Sequence, residues 1–184
     1  MEFRTLVLYR RILVPLLCVA AAGAAAADER SLPIPAAIPN AALAVIDRWR
    51  GTWDVKATRL HPTPAQSITY TETFDWVLDG HILRSETSQR SDGGKTMSMF
   101  WFDAITKTYR FVIFDARSFE LELPPPTWDE RTQTMEWKTG GFAPTFYTAY
   151  TTFPDSDTMR WKSLWRDWKG SPILELEGVS TRRR

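Results

Sequence analysis

The sequence predicts an all-β fold: an antiparallel up-and-down barrel of about ten strands with one short N-terminal helix. Three observations predict it. From Thr52 onward, apolar and polar residues alternate with the period of two that sends successive side chains to opposite faces of a sheet. The runs are short and are broken at roughly 10–13-residue intervals by Gly, Pro or Asp. No segment between them reads as a crossover helix, so neighbouring strands connect as hairpins. A sandwich satisfies the same pattern, but closure removes the exposed edges that a long open sheet leaves.

Residues 1–27 read as a secretory signal peptide rather than as part of the fold. Arg4, Arg10 and Arg11 give a basic start, Ile12 to Ala24 is apolar, and Ala25-Ala26-Ala27 supplies small residues for cleavage. The apolar run is short for a membrane span, which needs roughly 20 residues, and no stop-transfer segment follows. A retained N-terminal anchor is the alternative. Cys18 follows Leu17 within the apolar run, which argues against a lipoprotein. Cleavage near Ala27 removes three Arg, one Glu and the single Cys, turning a net charge of +1 into about −1. The remaining chain then has no thiol for catalysis, disulfides or Cys-type metal sites. Its charge also supplies no basic field for nucleic acid. With 43% hydrophobic and 24% charged residues, the composition suits a packed core and not a disordered chain.

Residues 28–40 form a Pro-rich linker, and residues 41–184 are the barrel domain. Asn40 is the expected cap of a helix over Ala41 to Trp49, with Leu43, Ile46 and Trp49 on one side and Gly51 ending it. Strands are expected from Thr52 to Arg59, Ile68 to Trp76, Ile82 to Arg90, Thr96 to Phe102 and Thr108 to Phe114. Further strands cover Phe119 to Leu123, Gln133 to Lys138, Thr145 to Phe153, Met159 to Arg166 and Ile173 to Thr181. Lys56, Arg84, Glu86, Glu120, Lys162 and Arg166 on the strands are incompatible with a lipid-facing apolar band.

Alternation places Trp53, Tyr70, Trp76, Trp101, Tyr109, Tyr147, Trp161 and Trp165 on an inward face, where they either pack solidly or line a cavity. Met97 and Met99 could add an adaptable wall. Phe100-Trp101-Phe102 is apolar on both faces, so alternation does not fix which side points in. Glu72 shares a face with Tyr70, Phe74 and Trp76, and Arg59 falls on the Trp53 face. The two form a ligand-binding pair, form a structural ion pair, or stand exposed; alone and buried, Glu72 would have a raised pKa. Glu175 and Glu177 alternate with leucines and are expected to face solvent. His61 and His81 sit in turns and give no metal-ligand spacing. No nucleophile elbow, phosphate loop or dinucleotide fingerprint occurs.

Several motifs resemble a family of bacterial proteins, DUF1579, related to the lipocalin and fatty-acid-binding-protein superfamily. They are Gly51-Thr52-Trp53, Trp76-Val77-Leu78-Asp79-Gly80, Ser98-Met99-Phe100-Trp101-Phe102-Asp103, Tyr109-Arg110-Phe111, Thr127-Trp128-Asp129 and the region of Arg160-Trp161. The resemblance spans roughly Ala41 to Arg182. It implies a lipocalin-like barrel whose first-strand Trp packs at the closed end, and it carries over no reaction. The neighbouring nitrobindins bind haem through a His late in the barrel; Ile173 to Thr181 contains none. The expectation is an exported barrel taking a small apolar or amphipathic molecule, with no cofactor or metal, no nucleic-acid partner and no stable membrane span after cleavage. Its lining residues would be Trp53, Arg59, Tyr70, Glu72, Trp76, Trp101, Tyr109, Tyr147, Trp161 and Trp165. A barrel enzyme using an interior carboxylate and an envelope interaction module with a filled barrel are the alternatives. The sequence does not fix the oligomeric state.

Overall fold

The computed structural model describes residues 37–117, 119–139 and 145–184. The expected signal peptide, most of the Pro-rich linker and the Gly140-Gly141 turn lie outside them. Helix α1 (Asn40–Ile46) continues into a single 3₁₀ turn over Asp47–Trp49. Asn40 is the first helical residue rather than the cap: Pro39 holds that position, and its carbonyl accepts from the Ala42 and Leu43 N–H groups. The buried stripe is Ala42, Val45, Ile46 and Trp49, with Leu43 only half-buried.

The strands are β1 (Gly51–His61), β2 (Gln66–Val77), β3 (Ile82–Thr87), β4 (Thr96–Asp103), β5 (Thr108–Asp115) and β6 (Phe119–Glu122). After the Pro124-Pro125-Pro126 run come β7 (Thr127–Asp129), β8 (Thr134–Lys138), β9 (Thr145–Thr152), β10 (Thr158–Asp167) and β11 (Pro172–Arg182). All pairs are antiparallel, in the order β6-β5-β4-β3-β2-β1-β11-β10-β9-β8-β7. This is the expected meander with one additional short strand, β7. Its two halves join through β1 and β11, from Trp53 opposite Arg182 to His61 opposite Glu175. The sheet curls until Phe111 on β5 meets Trp137 on β8, ring centroids 5.8 Å apart. The edge strands β6 and β7 share no ladder. Both are short, which limits the row of free backbone groups they present.

Alternation is kept along the sheet: Trp53, Val55 and Ala57 of β1 are buried while Asp54 and Lys56 are exposed. The helix plugs one end. There Trp49 meets Phe100 and Phe153 edge-on, at 5.1 and 4.6 Å between centroids. Trp53, wholly buried, donates its indole N–H to the Trp49 carbonyl at 2.7 Å. Arg182 lies 4.1 Å over the Trp53 ring and donates to the Arg48, Arg50 and Ser156 carbonyls, tying the last strand to the plug. Among the described residues, no helix is long and apolar enough to cross a membrane.

Candidate functional site

Beyond this plug, the inward side chains become small. Ser85 and Thr87 of β3, Thr96 and Ser98 of β4, and Ala149 and Thr151 of β9 stand in line with the larger Leu83, Phe100 and Phe153 of the closed end. They leave a cavity of about 820 Å³, within the range of small-molecule sites. Aromatic walls border it, among them Tyr70, Phe111, Trp137, Tyr147, Trp161 and Trp165. The Trp161 indole fills space that only a glycine on the adjacent strand leaves free. A Cβ at Gly178 would stand 2.5 Å from its Cζ2, and its N–H donates to Ser180 Oγ at 3.2 Å.

Of the expected lining residues, Arg59, Tyr70, Glu72, Tyr147, Trp161 and Trp165 do border the cavity, and the other four do not. Trp53 belongs to the dry closed end. Trp76 lies outside the cavity beside α1 and donates to Asp47 Oδ1 at 2.7 Å. Trp101 points outward beneath the Arg110 guanidinium, because Phe100 and Phe102 take the inward positions of β4. Tyr109 is inward but is taken up by packing on Phe100 and Phe102. Met97 and Met99 share the outward parity of Trp101 and form no wall. Glu175 and Glu177 face away from the cavity as expected and hold Lys162, at 2.6 and 3.7 Å.

Glu72 is the polar centre of the interior. What remains accessible of it faces the cavity, well below the outer surface. Ser85 Oγ donates to its Oε1 at 2.8 Å and stands 2.7 Å from Ser98 Oγ. A hydroxyl has one proton, so Ser98 donates to Ser85 and Ser85 to Glu72. Burial pushes the Glu72 carboxyl up to about 7, against the opposing pull of the Ser85 hydroxyl and the more distant Arg90 guanidinium. Arg59 is not its partner. Arg59 pairs with Gln66, six residues along β2 from Glu72, a separation of roughly 20 Å at about 3.3 Å per residue. The Arg59 Nε is buried and lacks a hydrogen-bond partner.

Charges rim the mouth on the side away from α1. Arg90 grips Asp92 through two hydrogen bonds of 3.0 and 2.5 Å, and Arg117 grips Asp115 through two of 2.7 Å. Partial burial raises the Asp92 carboxyl, but the Arg90 and Gly94 hydrogen bonds outweigh it and hold the group below the usual range. Asp115 is held low chiefly by Arg117. Deeper in, burial and the neighbouring Glu72 push the Tyr70 phenol up, and burial does the same to Tyr147 against a hydrogen bond from Ser163. Arg90, Asp92, Asp115 and the two serines were not foreseen as site residues. The serines lie in runs that are polar or apolar on both faces, so only the β2–β3–β4 register reveals them. His81 is exposed, and its Nδ1 lies 2.9 Å from the Leu78 carbonyl oxygen. Among the described residues, no group of three or more His, Cys, Asp or Glu is gathered as a metal site.

No family model matches the chain, and no curated protein matches it in sequence. Its fold has solved counterparts. Rv2717c from M. tuberculosis superposes with a TM-score of 0.58 at 16% identity, over 78% of this chain and 98% of that one. The S-type phycobiliprotein lyase CPES from Guillardia theta superposes with a TM-score of 0.51 at 13% identity, over 75% and 90%. At such identities the likeness is one of fold, and the chain has the architecture of lipocalin-like barrels.

Proposed function

We propose that the chain is an exported binding protein that takes a small, partly apolar molecule into its barrel. The observation that carries this is the cavity of about 820 Å³, walled by aromatic rings around the hydrogen-bonded carboxyl of Glu72. Apolar walls supply affinity by excluding water, and a few buried polar groups orient the ligand. A barrel that acted only through its outer surface would have no need of the hollow. The basic, apolar and small-residue order of residues 1–27 supports export to the periplasm or beyond, and the kinship with DUF1579 belongs to the same reading.

Titration with N-phenyl-1-naphthylamine, an apolar probe, tests it. The wild type should bind with enhanced probe emission, and Ala149→Leu, which fills the cavity from β9, should lose that emission while still melting cooperatively. Unchanged probe binding in Ala149→Leu would sink the proposal. The CPES barrel is named as a lyase, and a carboxyl poised near neutrality suits a general acid or base, so an enzyme is the second reading. Glu72→Gln separates the two: loss of turnover with binding retained favours the enzyme.

A further inference from the structure

We propose that the cavity prefers amphipathic molecules whose polar end is a protonated amine, held at Glu72 with the apolar body toward the mouth; this rests on the binding reading above. One oxygen of Glu72 accepts from Ser85, and among the described residues the other has no hydrogen-bond partner. No Lys or Arg described lies within ion-pair distance of it. Arg90, the cation that acts on Glu72 from a distance, is already engaged by both oxygens of Asp92. Facing the carboxyl are Trp53 of β1, Tyr70 and Phe74 of its own strand, Ser85 and Thr87 of β3, and Ser98 of β4. None of these carries a positive charge.

A buried carboxyl without a cation is uncompensated when ionised. An ammonium group would supply both the missing charge and the missing donors, and aromatic faces favour a cation beside them. A hydroxyl end supplies a donor but no charge. A carboxylate end brings a second negative charge against the first. Arg59 does not reverse this order, because its place on β1 lies six residue pairs, roughly 20 Å of strand, nearer the mouth than Glu72. Toward the mouth, Tyr147, Trp161 and Trp165 provide the wall for an apolar body.

Three probes of one shape decide it: 2-(1-naphthyl)ethylamine, 2-(1-naphthyl)ethanol and 1-naphthylacetate, measured by titration calorimetry at pH 6, 7 and 8. The amine should bind the wild type about tenfold tighter than the alcohol at pH 8, with the acetate weakest. That preference should shrink toward pH 6, where Glu72 holds its proton. At pH 7, amine binding should release protons, seen as a heat that depends on the buffer's ionisation enthalpy. Glu72→Gln, which still accepts from Ser85, should bring amine and alcohol within about twofold and abolish the proton release. Equal binding of the three probes, or an amine preference that survives in Glu72→Gln, overturns the amine proposal alone. Binding of none of them overturns it together with the carrier reading.

Discussion

The two ends of the barrel are built from the same alternating strands and differ in what stands inward. At the plugged end, Trp49, Trp53, Phe100 and Phe153 interlock, and Arg182 stitches the last strand to the helix. A few residues further along the same strands, hydroxyls and alanine replace the rings and the space stays open. One end is stabilised by close packing, the other is shaped for access, and the switch needs only a change of side-chain volume at fixed parity.

The sharpest way to break this comparison is Trp53→Ala. Removing a wholly buried ring from packed surroundings should cost about 3–5 kcal/mol, read from the urea midpoint. Trp165→Ala, whose ring already borders open space, should lose less than half as much; equal losses would mean that the two ends are packed alike. Next in size is an effect of opposite sign at the floor of the cavity. Because the folded carboxyl of Glu72 titrates near 7 and the unfolded one near about 4.3, the two states bind protons equally at low pH. As pH climbs between these values, only the folded chain keeps its proton, so stability falls, and the loss is complete above about 7. Glu72→Gln should therefore be more stable than wild type by roughly 2–3 kcal/mol at pH 8, with the difference fading by about pH 4. A variant less stable at pH 8 would show that Glu72 is compensated in the fold. The smallest effect belongs to the wall between the ends. Gly178→Ala drives a methyl into Trp161 and should cost about 1–2 kcal/mol, with a shift in tryptophan emission as that indole moves. Unaltered emission would mean that the ring is not held there.

The architecture was legible from alternation because period two survives wherever one face is buried. β7 was not, since three residues between a proline run and a turn carry too little pattern. Cavity-lining residues were legible where an apolar face stood against a polar one, as at Tyr70, Glu72, Trp161 and Trp165. They failed where both faces were apolar, as around Trp101, or both polar, as around Ser85. The Glu72–Arg59 pairing failed for another reason. Parity assigns a face but not a depth, and depth comes only from the register of β1 on β2.

The unladdered junction of β6 and β7 has a mechanical consequence. Elsewhere the circumference is set by backbone hydrogen bonds, but across this line it is bridged by side chains, the Phe111 and Trp137 rings among them, beside three consecutive prolines that have no amide hydrogen to offer. At this line a change of girth would break no backbone ladder and shift no strand register.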